Sequence, residues 1–265
     1  MDPAILVVSF GTTHLDTLQE NIARTEADIA AAFPGRALYR AFTSRIVRER
    51  LQRKHGIRID SVEEALARIA AEGYAQVAVQ PTLLIPGEEY GLLCTSVKAS
   101  SGALRFSIGR PLLRGGGDLD EITHILREAY PTGEDTVLLV MGHGTAHSAN
   151  DLYERLAETF RTREGPPMRL CTVEGTPTFA DAVKELAALP QRKALLVPLM
   201  LVAGEHAKED MAGEGPGSLR ALLAKEGFQV SCSMRGLGQL QAVREIYVRR
   251  ALEAGSDVRK QEDRL

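Results

Sequence analysis

Ile5-Leu6-Val7-Val8-Ser9-Phe10-Gly11-Thr12-Thr13-His14 opens the chain, and near its middle the pattern returns as Leu138-Leu139-Val140-Met141-Gly142-His143-Gly144-Thr145-Ala146-His147. Each copy begins with a short, nearly continuous apolar run, which a parallel strand buried on both faces requires. Two further matches follow in the same order. Leu38-Tyr39-Arg40-Ala41-Phe42 falls on Leu170-Cys171-Thr172-Val173-Glu174, and Pro81-Thr82-Leu83-Leu84-Ile85-Pro86-Gly87-Glu88-Glu89 falls on Pro198-Leu199-Met200-Leu201-Val202-Ala203-Gly204-Glu205-His206. Ordered self-similarity over half a chain is the mark of an internal repeat. The chain therefore reads as two similar domains, 1–130 and 131–265, joined near residues 130–135.

Outward from these matches, apolar runs at 5–10, 37–42, 77–84, 104–108, 137–141, 169–173, 194–201 and 229–232 alternate with amphipathic segments. Ser61-Val62-Glu63-Glu64 spells a capping box ahead of a helix over 65–71, which Gly73 stops. Thr176-Pro177 is expected to open a helix over 178–189 with proline at its first position. Gly115-Gly116-Gly117 predicts a turn before a helix over 118–130. Strand and helix alternate throughout, so the fold class is α/β, each domain a mostly parallel sheet flanked by helices, with an active-site cleft between the two.

With 44% hydrophobic and 25% charged residues, the 265-residue chain has the composition of a globular protein with a sizeable core. A net charge of −3 predicts no broad attraction to nucleic acid or to an anionic membrane. The start Met1-Asp2-Pro3 lacks the basic and apolar regions of an export signal, and no apolar run is long enough to span a bilayer. Cys94, Cys171 and Cys232 are odd in number and far apart, which suits a reducing cytoplasm and predicts three buried, unpaired thiols. No long coiled coil or large apolar surface helix points to a homo-oligomer or against one.

Each matched segment ends where a parallel strand meets its loop, the edge at which open α/β sheets bind ligands. At those ends the first half carries Phe10, Phe42 and Glu89, and the second carries His143, Glu174 and His206. Two imidazoles and a carboxylate can hold a first-row divalent cation while leaving coordination positions open. The same groups can accept protons near neutral pH. A single histidine at a strand end is more often a hydrogen-bonded structural residue. Three such groups at equivalent ends of one repeat shift the balance toward a metal site. His14 and His147 match each other in the two halves, which predicts a shared helix-start role. His55 and His124 fall on charged helix faces and are expected at the surface. Gly142–Thr145 fits neither G-x-G-x-x-G nor the Walker pattern, so a phosphate-handling loop is the weaker alternative.

The residues that carry these observations also carry a resemblance. Val7-Val8-Ser9-Phe10-Gly11-Thr12, Arg40-Ala41-Phe42-Thr43-Ser44, Gly87-Glu88-Glu89-Tyr90, Met141-Gly142-His143-Gly144 and above all Leu199–Ala207 resemble the sirohydrochlorin cobaltochelatases, a class II chelatase family. The resemblance covers nearly the whole chain. It implies two α/β domains, Co²⁺ and sirohydrochlorin as substrates in anaerobic cobalamin biosynthesis, and no tightly bound cofactor. It places the metal on His143, Glu174 and His206, with His143, His206 or Glu89 taking the pyrrole protons. Phe10 and Phe42 would pack near the macrocycle, and Arg40, Arg45 and Arg48 near the second strand end would meet its carboxylates. Iron or nickel insertion and a non-catalytic metal or tetrapyrrole carrier stand as alternatives, since ligand type does not separate these metals.

Overall fold

The computed structural model describes residues 3–100, 102 and 104–260; Met1 and Asp2, which precede the first strand, lie outside it. All eight expected strands are present: β1 Ala4–Ser9, β2 Leu38–Phe42, β3 Gln76–Pro81, β4 Arg105–Ile108, β5 Thr136–Gly144, β6 Met168–Glu174, β7 Lys193–Leu199 and β8 Gln229–Cys232. They form two four-stranded sheets of one topology, β2-β1-β3-β4 and β6-β5-β7-β8, every pairing parallel. The duplication seen in the sequence is thus a duplication of strand order. Every residue of β1 and β3 is buried, as continuous apolarity demands. The edge strands β4 and β8 are four residues each and only partly buried, which limits the unpaired edge they present.

The register corrects one of the three sequence matches. Ser9 pairs with Phe42, and its equivalent Gly142 pairs with Thr172, so Phe42 corresponds to Thr172. Glu174 stands two residues farther along, at the position of Ser44, which caps the helix Arg45–His55. A slip of two keeps every side chain on its own face of the sheet, so apolar patterning does not reveal it. The match of Pro81 with Pro198 holds, because Val8 pairs with Pro81 and Met141 with Pro198.

The domain division also differs from 1–130 and 131–265. Among the described residues, one compact unit comprises the chain up to Leu112 together with the helix Gln241–Lys260; the other is Leu113–Leu240. In the first, the closing helix Gln241–Lys260 lies against β3, β4 and the helix Arg24–Ala31. Val243, Ile246, Tyr247, Ala251, Ala254 and Val258 repeat at helical spacing and are all buried there. In the second, the helix Gly117–Ala129 packs on the helix Asp151–Thr162. Each unit is therefore completed by the helix that follows the other unit's last strand.

Local signals behaved unevenly. Ser61 and Glu64 form both bonds of the expected capping box at the start of Val62–Ala71. In the second unit the cap is Thr178, paired reciprocally with Asp181 ahead of Phe179–Ala187, so Pro177 precedes the cap and does not begin the helix. Gly115 and Gly116 take positive φ and make the expected turn. Among the described residues no helix is long and apolar enough to cross a membrane. All three cysteines are free, but only Cys171 is buried; Cys94 and Cys232 are half-buried, a correction to the expected burial of all three.

Candidate functional site

In the sheet β6-β5-β7-β8, the strand order reverses between β5 and β7, the position at whose carboxyl ends open α/β sheets bind ligands. His143 is the penultimate residue of β5, and His206 follows β7 through the turn 200–204. Their rings meet edge to face with centroids 4.7 Å apart. Nδ1 of His143 lies 3.0 Å from the carbonyl oxygen of Gly144, and Nδ1 of His206 lies 2.7 Å from Oδ2 of Asp210. A carbonyl and a carboxylate can only accept, so these partners assign the proton to Nδ1 in both rings. Each neutral ring then keeps an Nε2 lone pair.

Three features hold His143 in place. A Cβ at Gly142 would lie 2.5 Å from the Tyr153 ring, which is why glycine stands where the first half has Ser9. Tyr153 is 2% exposed, and burial pushes its hydroxyl up to about 12, so it stays a neutral phenol beneath the strand end. Gly144 has φ +79, and a Cβ there would fall 1.4 Å from the Glu174 carbonyl oxygen. Gly144→Ala is accordingly expected to cost on the order of 3 kcal/mol or more, combining left-handed strain with backbone overpacking. Thermal or urea unfolding checks it; a variant as stable as the parent would mean that β5 and β6 separate more easily than their register indicates.

Glu174 ends β6 opposite Gly144, with its side chain exposed. Asn150 fastens the next loop by donating from Nδ2 to the Thr176 carbonyl and Oγ1, both at 2.9 Å, while accepting from the Thr145 N–H at 3.3 Å. The pairing sets Glu174 beside the end of β5 that carries His143, yet it does not join the rings: among the described residues, no three His, Cys, Asp or Glu side chains are grouped to hold a metal. The phosphate-loop alternative fares worse. Thr145, His147 and Ala149 spend their N–H groups on Asn150, Thr145 Oγ1 and His147 Nδ1, leaving those amides turned inward.

In the first unit the expected substrate contacts divide. Phe10 is 49% exposed at the end of β1, free to offer an apolar face. Phe42 is wholly buried, and its ring occupies the space that a Cβ on Gly11 would need, so it has no face for a ligand. Arg40 is likewise withdrawn: its Nε donates at 2.7 Å to buried Glu26 and its guanidinium forms a fork with that carboxylate. Arg45 pairs with Glu49 at 2.9 Å and Arg48 with Glu64 at 3.5 Å. Glu89 sits half-buried in the first turn of Glu88–Ser100. Exposed apolar side chains after β1, β2 and β3 include Phe10, Leu15, Ile46 and Leu92, of which only Phe10 is marked out by the sequence.

The remaining histidines follow expectation. His147 caps the short helix Ser148–Asn150 with its ring, and His14 holds the equivalent cap position through its backbone, its carbonyl accepting from Leu18 at 2.9 Å. His55 is exposed, and His124 is exposed beside Glu128. Asp210, Asn150 and Tyr153 were missed. Of these, Asp210 had a signal, an acidic residue four positions after a histidine on one helical face.

Two parallel sheets of identical order, with an imidazole pair at the switch point of the second, define a two-domain α/β chelatase. The fold matches that of SirB from Bacillus subtilis with Fe3+ at TM-score 0.70 and 18% identity, covering 98% of each chain. It also matches CbiX, described as the terminal enzyme for siroheme biosynthesis in denitrifying bacteria, at TM-score 0.57 and 21% identity, covering 95% of this chain and 98% of that one. The model of the cobalt chelatase (CbiK) family matches residues 3–255, and the chain belongs to that family. The sirohydrochlorin cobaltochelatase of Salmonella typhimurium is 36% identical over 250 residues, covering 94% of each chain. The sirohydrochlorin cobaltochelatase CbiKC of Nitratidesulfovibrio vulgaris is 34% identical over 249 residues, 92% of this chain and 87% of that one.

Proposed function

We propose that this chain inserts Co²⁺ into sirohydrochlorin, with metal held on the second unit by His143 and His206. The observation that carries the site is the edge-to-face pair with both Nδ1 atoms occupied. Two neutral imidazoles suit Co²⁺, and the donor set lacks a thiolate that would retain it. Cys171, the buried thiol, is held protonated by desolvation. A metal that must be passed on needs this moderate grip and open positions for incoming nitrogens. We assign Glu174 as the oxygen donor that completes the set. Its support is its place on the strand beside β5, on a loop fastened by Asn150.

Insertion replaces two pyrrole N–H protons by one divalent ion, so two protons must leave. An imidazole that is not engaged with metal can accept one near neutral pH. Glu89 is our second acceptor, on its equivalence to His206 in the repeat. Phe10, with Ile46 and Leu92, offers apolar surface to a flat macrocycle; Phe42 and Arg40 leave the proposal because Phe42 is buried and Arg40 is held by Glu26. We place the protein in the cytoplasm, on the three free thiols.

Anaerobic incubation with sirohydrochlorin and Co²⁺, Fe²⁺ or Ni²⁺ in turn, followed by absorption, tests the reading. Turnover of many equivalents is expected with Co²⁺. Conversion that stops at one equivalent would indicate a carrier, and faster turnover with iron or nickel would reassign the metal.

A further inference from the structure

We infer that Asp210 is the positioning residue for His206, locking its ring in one orientation and one tautomer so that Nε2 faces the metal; this rests on His206 being a metal ligand. The two histidines solve the same problem by different means. His143 is oriented by the carbonyl of its own neighbour Gly144, a main-chain group on a buried strand end. His206 has no strand to hold it: its side chain is about 40% exposed, and the turn before it is only partly buried. Without a partner, such a ring exchanges tautomers and rotates about its side-chain bonds.

Asp210 supplies the partner. Its Oδ2 is 2.7 Å from Nδ1 of His206, and the segment between them is the π-helix Ala207–Met211, closed by the Ala212 N–H on the Ala207 carbonyl at 3.1 Å. Ala207 and Met211 are fully buried in the core of the second unit. They anchor the inner side of this turn, and His206 and Asp210, each one residue earlier, share the neighbouring face. The wide turn is of a kind found often at functional sites. A carboxylate behind a ligating imidazole fixes its tautomer and raises its basicity, and removing such a partner costs roughly 10–100-fold in metal affinity or activity. A helical surface ion pair with no such role would leave affinity untouched.

The test uses the full chain and Co²⁺ alone, with Asp210→Asn, His206→Ala and Glu209→Gln compared with the parent. Glu209 is exposed and adjacent, so its variant controls for loss of one negative charge. Asp210→Asn is expected to weaken Co²⁺ binding by roughly 10–100-fold with an unchanged melting curve, while Glu209→Gln stays within about two-fold, as expected for a screened surface charge. In the metal-free protein at alkaline pH, ¹⁵N shifts of the His206 ring, assigned by their loss in His206→Ala, should show the Nδ1–H tautomer in the parent and a mixture in Asp210→Asn. Parent-like affinity or a parent-like tautomer in Asp210→Asn overturns the inference, as does an equal loss in Glu209→Gln. If the parent itself neither binds Co²⁺ nor turns over, the functional reading fails, whereas the tautomer shift still reports on what Asp210 does to His206.

Discussion

His143→Ala and His206→Ala are each expected to lower metal insertion by more than about 100-fold while the protein melts as before. The size follows from comparison: loss of a group behind a metal ligand costs about 10–100-fold, and loss of the ligand removes both the lone pair and the orientation behind it. The fold should survive, because neither ring belongs to a packed core. His143 is half-buried at the penultimate position of β5, and the His206 side chain is about 40% exposed. Changes of that kind usually stay within about 0.5 kcal/mol. The double variant should be scarcely worse than either single one, since two donors to one ion act as a unit. Steady-state insertion with Co²⁺ and sirohydrochlorin, beside a thermal melt, reads both quantities. Near-normal turnover in both single variants would sink the assignment.

How much of this was legible in the sequence depended on the range of the interaction. The eight strands were visible because burial on both faces leaves an unbroken apolar run. The repeat showed at residue level because both copies keep the same strand, glycine and loop. What failed were statements about partners distant in sequence. Nothing local to Arg40 announces Glu26, and nothing local to Phe42 announces that its ring fills the space a Cβ on Gly11 would need. The slip between Phe42 and Glu174 was invisible to a period of two. The closing helix carries its buried side chains at helical spacing, but amphipathicity says only that a face is buried and never names the sheet that buries it.

Within the site, the same rule separates donors from supports. Imidazole and carboxylate side chains at strand ends are conspicuous by type. Apart from Asp210, four residues from His206 on its own turn, the groups that position them are glycines, a tyrosine, an asparagine and a main-chain carbonyl, most of whose roles exist only once β5 and β6 are in register. Gly144 illustrates this: its necessity comes from the Glu174 carbonyl 1.4 Å from where a Cβ would stand.

Removing residues 241–265 is expected to abolish folding of the first unit, although every strand of its sheet would remain in the chain. The closing helix buries Val243, Ile246, Tyr247 and Val258, all at 3% exposure or less, against β3, β4 and the helix Arg24–Ala31. At about 1.5–3 kcal/mol for each large side chain, an upper range because unfolded chains already bury some surface, the loss is roughly 6–12 kcal/mol. A domain's whole stability is about 5–15 kcal/mol. Polar ties go with the apolar ones: Tyr247 donates its hydroxyl to the Thr82 carbonyl at 3.0 Å, and Arg244 pairs with Asp28 at 2.6 Å. The second unit contains its own core around Leu139, Leu196 and Leu223 and takes no strand or helix from the deleted segment. Calorimetry of the truncated chain should therefore lose the transition of the first unit, and limited proteolysis should degrade residues up to Leu112 first. Tyr247→Phe, which removes only the buried hydrogen bond, should cost about 1–3 kcal/mol and leave the fold intact, because the orphaned carbonyl stays buried. A truncated chain melting within a few degrees of the full one would show that β1–β4 and their own helices suffice, and that the helix after β8 merely decorates the unit it touches.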